Sequence, residues 1–122
     1  MDNFPNSALE SQRYKGNIYV ITNSNSGSAS EGWAIALSQN SNVTVIGKRT
    51  AGAIGQPYKI SMPSGLIVRI NTDKTYDYKG NEVSWGFAPD YEYDFSEFYK
   101  IKNPNEMLSK FVKVIKGIKR EK

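Results

Sequence analysis

The most chemically suggestive stretch of the sequence is Ser28-Ala29-Ser30-Glu31, which lies between an apolar run and a helical pattern. This order places Ser28 on the turn between a strand and a helix, with its hydroxyl in the open. The first backbone N–H groups of a helix have no acceptor within the helix, and they converge beside such a residue. A serine in this position can act as a nucleophile next to an oxyanion hole.

The same four residues match the capping box Ser-x-x-Glu, in which the two side chains bind free backbone N–H groups at a helix start. The pattern alone favours this structural interpretation. The two interpretations are compatible, because a nucleophile at a helix N-terminus benefits from the same dipole and the same free amides.

The residues around Ser28 predict one βαβ unit. Residues 17–22 and 43–47 are short, β-branched apolar runs typical of strands covered on both faces. Between them a helix is predicted from Ala29 to about Ser38 or Gln39. Two strands joined by a helix within about 30 residues should be parallel, with a right-handed crossover. The apolar positions at helical spacing are Ala29, Trp33, Ala36 and Leu37.

The second half of the chain changes character after a glycine-rich loop over residues 50–57. Residues 58–62 and 66–71 predict a β-hairpin around Pro63-Ser64-Gly65. Residues 75–78 predict a further short strand, and the alternation of aromatic and acidic residues over 91–95 predicts a strand with one wet face. A last helix is predicted from Asn103-Pro104-Asn105-Glu106. Its apolar stripe comprises Met107, Leu108, Phe111, Val112, Ile115 and Ile118.

The composition limits the classes of function. The 122 residues make one domain or part of one, and the net charge of +4 is unevenly placed. Residues 100–122 carry a net charge of +6, which leaves −2 on residues 1–99. A basic C-terminal helix alone does not predict nucleic-acid binding, and its lysines are expected on the solvated side of that helix. No apolar run reaches the length of about 20 residues that a membrane span needs, and the first residues do not resemble a signal peptide. The chain has no cysteine and no histidine, and no metal or cofactor is predicted.

Three motifs follow one another at compatible spacing. They are Ser28-Ala29-Ser30-Glu31, Gly47-x-x-Thr50-x-Gly52 and Gly86-Phe87-Ala88-Pro89-Asp90. Over residues 15–94 this order resembles the C-terminal part of the catalytic domain of the tail-specific (C-terminal processing) and tricorn-like serine peptidases. The resemblance implies an α/β fold in which residues 17–99 form part of a Clp protease/crotonase-like domain. The residues themselves predict an extended lead-in at 1–16 and a basic amphipathic helix at 100–122. It also implies that Ser28 is the nucleophile and that the Ala29 amide forms part of the oxyanion hole.

The general base that such a serine needs is not evident. In the processing branch a lysine follows the glycine of the Thr-x-Gly motif, and here Ala53 stands in that place. The tricorn-like branch uses a histidine from an earlier segment and a glutamate near the Gly-x-x-Pro-Asp motif. Glu82, one place away from that position at Val83, is the candidate orienting acid, with an exposed turn carboxylate as the alternative. Lys48 and Lys59, the lysines nearest to position 53 in sequence, are weak candidates for the base. An exposed lysine stays charged and cannot accept the proton.

The resemblance implies hydrolysis of exposed polypeptide tails, outside the cytoplasm, with the base supplied by a missing N-terminal half of the domain or by another chain. A half domain should expose a sheet edge and apolar surface, which predicts self-association or pairing with another chain. The alternative is a degenerate, non-catalytic module that binds a peptide or a protein partner.

Two further patterns in the sequence have some features of binding sites. Gly47-Lys48-Arg49-Thr50 is similar to a phosphate-binding loop, but Asn42 occupies the place of the required first glycine. Asp90, Glu92 and Asp94 could hold a hard cation from one strand face. An ordinary loop and a solvated face are the favoured interpretations.

Overall fold

The predicted βαβ unit forms the centre of the fold. The computed structural model describes residues 14–118. Strand β1 (Ile18–Thr22) leads through a turn into helix α1 (Ala29–Ser38), which returns to strand β2 (Val43–Gly47). β1 and β2 are parallel, with Ile18 opposite Val43 and Thr22 opposite Gly47. The sheet therefore has the orientation that the spacing of the two apolar runs predicts.

A third short strand completes the sheet on the other side of β2. Strand β5 (Tyr91–Glu92) pairs in parallel with the end of β2, and the strand order is β1-β2-β5. Within residues 14–118, β1 therefore has a neighbour on one side only. A sheet edge of this kind can pair with a strand of another chain.

One face of the sheet is covered by the last helix, α2 (Pro104–Gly117). The Asn103 side chain caps it by accepting hydrogen bonds from two of its first N–H groups, as the sequence predicts. The buried cluster of Ile46, Phe95 and Phe98 is packed against by Phe111, Val114 and Ile115 of α2 and by Ile118, which directly follows the helix. The predicted stripe was wrong at Leu108 and Val112, which are exposed because that side of the helix meets no other element of the described part of the chain.

Helix α1 buries a different face from the one predicted. Its buried residues are Glu31, Ala34 and Ile35, whereas Trp33 is 70% exposed and Ala36 is exposed as well. Helical spacing identifies an apolar stripe but does not say which side of the helix has a neighbour. Among the described residues, the side of α1 that carries Trp33 is therefore an apolar surface without a covering element.

The hairpin consists of strands β3 (Pro57–Ser61) and β4 (Ile67–Asn71), which are antiparallel as predicted. Tyr58 faces Ile70 across the hairpin and Ile60 faces Val68. Every residue of β3 is exposed. An isolated two-stranded hairpin is marginally stable in water, so this apolar face is a surface without a visible partner in the described part of the chain.

Two further strand predictions were wrong in extent. Residues 75–78 contribute a single bridge, between Tyr76 and Glu82, and no strand. The strand predicted over 91–95 ends at Glu92 and is followed by a 3-10 helix at Ser96–Lys100. The chain leaves the sheet there because the Phe95 ring turns into the core, with its centroid 5.3 Å from that of Phe98.

Candidate active site

Ser28 lies at the first turn of α1, immediately before its first residue. It is exposed, and its backbone has φ 56° and ψ −122°, the one positive φ outside glycine in residues 14–118. Such a conformation costs about 1–3 kcal/mol and persists only where the surroundings impose it. The Ala29 N–H begins the helix and has no acceptor within it. The turn therefore presents a hydroxyl and a free N–H group side by side.

Glu31, three residues after Ser28, is completely buried. Its Oε2 atom accepts hydrogen bonds from the Ser28 N–H at 2.9 Å and the Ala53 N–H at 2.7 Å. Its Oε1 atom accepts from the Gly52 N–H at 2.7 Å and the Thr50 hydroxyl at 2.6 Å. The bond from the Ser28 N–H is the predicted capping contact. The other three bonds connect the helix start to the loop that carries Thr50-x-Gly52.

Thr50 extends the same network to the third motif. Its buried hydroxyl accepts the Phe87 N–H at 2.7 Å while donating to Glu31, and its own N–H donates to the Phe87 carbonyl. The loops are in close contact here, since a Cβ on Gly52 would lie 2.8 Å from the backbone carbon of Trp85. The three motifs that carry the resemblance therefore meet in space, with Glu31 and Thr50 at their junction.

The acidic residues of the β5 region make local contacts. The Asp90 side chain accepts the Val45 N–H at 2.7 Å, and its N–H donates to the Val45 carbonyl, which ties the third motif to β2. The Asp94 carboxylate pairs with the Lys48 ammonium at 2.6 Å. The Lys48 hydrogen bond is the main cause that lowers the pKa of Asp94 to about 2. Residues 14–118 contain no cluster of three or more side chains suited to a metal ion.

Glu82, the candidate orienting acid, is paired with a lysine that sequence spacing did not single out. Its Oε2 lies 3.1 Å from Lys74 Nζ. The hydrogen bond and charge of Glu82 raise the pKa of Lys74 above its usual value, which keeps the amine protonated. No motif marks Lys74, which lies 46 residues after Ser28 and approaches it only through the return of the hairpin.

Ser28 lies at a wide, open surface cavity of about 830 Å³. Lys74 lines this cavity with Ser28, and Lys48 and Lys59 do not. Its remaining walls come from the start of α1, the glycine-rich loop and the segment that follows β4: Ala29, Gly32, Ile54, Gly55, Gln56, Thr72, Asp73, Thr75 and Tyr76. This volume is within the range of about 300–1,000 Å³ that is typical of ligand sites in proteins.

A second concave surface lies between β1 and α1. This apolar groove of about 420 Å³ is lined by Val20, Ile21, Thr22, Ser26, Ala29, Ser30, Trp33, Ala34 and Leu37. It is formed mainly by residues from the end of β1 and from the side of α1 that carries Trp33 and Leu37. Neither helix in residues 14–118 is long and apolar enough to cross a membrane.

Comparison with solved structures identifies the fold. A protein from Parabacteroides merdae assigned as a peptidase is 28% identical, with a TM-score of 0.64 over 72% of this chain and 28% of its own. A protein from Bacteroides fragilis assigned as an S41 protease is 25% identical, with a TM-score of 0.56 over 86% of this chain and 29% of its own. Mature CPAF, solved with lactacystin, is 23% identical and has a TM-score of 0.67 over 84% of this chain and 21% of its own.

These likenesses confirm the α/β, Clp protease/crotonase-like fold that the motifs implied. The chain spans less than a third of each of these solved proteins. No curated protein sequence matches it. The profile of peptidase family S41, a family of serine peptidases, matches residues 2–93, which is most of the sequence. The chain therefore belongs to peptidase family S41.

Proposed function

We propose that this chain carries the nucleophile side of a serine peptidase site that cleaves exposed polypeptide tails. The Ser28 Oγ atom attacks the scissile carbonyl carbon and passes its proton to a base. The carbonyl oxygen becomes an oxyanion that accepts a hydrogen bond from the Ala29 N–H. The observation that carries the proposal is the exposed Ser28 held at positive φ at the start of α1, beside that N–H.

The base is proposed to come from a segment beyond this chain. The sequence has no histidine, and the family's lysine position holds Ala53. Lys74 is the lysine that shares the Ser28 cavity, but its pairing with Glu82 favours its charged form. In the proposed complete site Glu82 would orient the base, which requires it to exchange Lys74 for that new partner.

The missing part of the domain, or another copy of the chain, is proposed to cover the groove between β1 and α1. The groove is apolar, and within residues 14–118 the β1 strand beside it has a strand neighbour on one side only. A strand from the partner could pair with β1 while its side chains cover Trp33 and Leu37. Light scattering of the purified chain tests self-association, and a Trp33→Glu variant should weaken it. If the chain is monomeric at millimolar concentration, self-association is excluded and only pairing with a different chain remains.

Labelling with a fluorophosphonate probe tests the nucleophile. Any longer protein that contains this chain should be labelled at Ser28, and Ser28→Ala should abolish the labelling. Ser30→Ala is the matched control, because Ser30 is also exposed but its hydroxyl donates to the Gly27 carbonyl. Labelling or peptide hydrolysis that survives Ser28→Ala would remove Ser28 from the mechanism. The isolated chain should react slowly at best, because it lacks a base.

The alternative is a degenerate peptidase domain that binds a peptide or a protein partner. The alanine at position 53 favours it, because the site then lacks the lysine base of the processing branch. Absence of labelling in both the isolated chain and any longer protein that contains it would support this alternative. The same proteins should then still bind an unstructured peptide, which fluorescence anisotropy can measure.

The resemblance also supports a location outside the cytoplasm, since most bacterial members of the family act there. Cell fractionation with an antibody against the chain tests this. Recovery in the cytoplasmic fraction alone would contradict it.

A further inference from the structure

The Glu31 carboxylate is the most extensively bonded side chain beside Ser28. It is completely buried and accepts four hydrogen bonds, from the Ser28, Gly52 and Ala53 N–H groups and the Thr50 hydroxyl. Two bonds at each oxygen match the capacity of a carboxylate as an acceptor. Hydrogen bonds to a charged acceptor are about twice as strong as neutral ones. This arrangement exceeds what a helix cap requires, which is one bond to the Ncap N–H.

One oxygen of Glu31 acts on both sides of the site. Oε2 binds the Ser28 N–H and the Ala53 N–H together. It thereby fixes the separation between the candidate nucleophile and the loop position at which related peptidases carry their lysine. The two loops are in contact here, since a Cβ placed on Gly27, the residue before Ser28, would lie 3.3 Å from the Ala53 Cβ.

The Ser28 N–H bond also bears on the strained backbone. A positive φ at a serine persists only where neighbouring contacts impose it. Both backbone polar groups of Ser28 are held. Its N–H donates to the Glu31 side chain, and its carbonyl accepts from the backbone N–H groups of Glu31 and Gly32. Glu31 binds the Ser28 N–H, whereas the neighbouring Ala29 N–H is one of the first helix amides, which have no acceptor within the helix, and can meet an oxyanion.

We propose that Glu31 is a positioning residue for the nucleophile: it holds Ser28 at positive φ and sets the Ala29 N–H and residue 53 relative to it. The catalytic meaning of this role rests on the proposed peptidase function. The hold on the Ser28 backbone does not, and it can be tested separately. The competing interpretation is that Glu31 only stabilises the fold.

Proton–nitrogen NMR of the isolated chain tests the hold directly. In the unmodified chain the N–H groups of Ser28, Gly52 and Ala53 should exchange with solvent at least tenfold more slowly than that of Ala29. In Glu31→Gln these three resonances should shift upfield and exchange faster, while the β2 amides keep their protection. Ile35→Ala is the control, because it destabilises the same helix through a cavity without removing any acceptor.

Two NMR results would overturn the proposal. One is a Ser28 N–H that exchanges as fast as that of Ala29 in the unmodified chain, which needs no variant to fold. The other is a Glu31→Gln variant in which the loop and β2 amides lose protection in parallel, because that result indicates a purely structural role.

Labelling kinetics in the longest protein that contains this chain test the catalytic meaning. Glu31→Gln should lower the maximal rate of fluorophosphonate labelling at Ser28 on the order of 100-fold, the size expected for a misplacement of about 1 Å. The affinity for the probe should change little, and Ile35→Ala should keep the maximal rate within a few-fold. An unlabelled wild-type protein would reject the proposed function while the NMR result still decides the role of Glu31. An unchanged rate in a folded Glu31→Gln variant would reject the positioning role.

Discussion

The Thr50 hydroxyl donates to Glu31 Oε1 at 2.6 Å, and both side chains are buried. The same hydroxyl accepts the Phe87 N–H. A threonine oxygen can donate one hydrogen bond and accept others, so Thr50 is the link that joins the first motif to the third. Residues 31, 50 and 87 are far apart in sequence, and their contact is what makes the three motifs one site.

Replacing Thr50 with valine should destabilise the fold by about 2 kcal/mol. The change preserves the shape of the side chain but leaves the Phe87 N–H without its acceptor and Glu31 with one donor fewer, inside the protein. Thr50→Ser keeps the hydroxyl and should cost about 1 kcal/mol, for the lost methyl group. Urea unfolding of the two variants measures the difference. Equal losses would show that the hydroxyl contributes little.

Ser28→Gly should be more stable than Ser28→Ala by about 1 kcal/mol. Glycine adopts φ 56° without the steric cost that any side chain pays there. The flexibility of glycine in the unfolded chain offsets part of this gain. Thermal unfolding of the two variants, neither of which has the hydroxyl, isolates the backbone effect. An alanine variant as stable as the glycine variant would mean that the turn relaxes when the side chain changes.

Ala53→Lys should raise the reactivity of Ser28 towards a fluorophosphonate, because it returns a base to the position used by the processing branch. Ala53 is exposed, so the new lysine should keep a pKa near the usual value of about 10.4. The labelling rate should therefore rise with pH as the amine loses its proton. Ala53→Arg carries the same charge but stays protonated, and it should show no such rise. A pH profile identical in the two variants would contradict the prediction.

The Asp94 carboxylate should make stability depend on pH in the acid range. Its pKa is about 2 in the folded chain, mainly through the Lys48 hydrogen bond and then through Ser96, against the ordinary value of 3.8 for an aspartate. A lowered folded pKa adds stability above the unfolded value, and this contribution is lost as the pH falls from about 4 to about 2. Lys48→Met should flatten this part of the curve, whereas Lys113→Met, an exposed change on α2, should not. Unfolding by urea at a series of pH values measures both.

Much of the fold could be predicted from local patterns. The strands at 18–22 and 43–47 and the helix between them follow from apolar runs and capping residues. The start of α2 follows from Asn103 and Pro104, whose effects depend only on their immediate neighbours. The Ser28 turn was predicted in the same way, because its strand, loop and helix are contiguous in sequence.

The errors have a common physical cause, which is that burial depends on distant partners. Trp33 has the spacing of a core residue, yet no described element covers it. Glu31 is of the residue type and in the position of an exposed helix cap. It is nevertheless buried, because the loop that supplies its other donors lies about 20 residues further along the chain and packs over it. The Lys74 pairing with Glu82 depends on the return of the hairpin, which no local pattern encodes.

The exposure of both tryptophans gives the chain an unusual optical property. Trp33 is 70% exposed and Trp85 is 83% exposed, and the sequence contains no other tryptophan. Their emission in the folded chain should already be close to that of indole in water, so denaturation should change its wavelength little. Docking of a polypeptide over the α1 groove would instead shift the Trp33 emission to the blue, which makes intrinsic fluorescence a sensor of association and a poor sensor of unfolding.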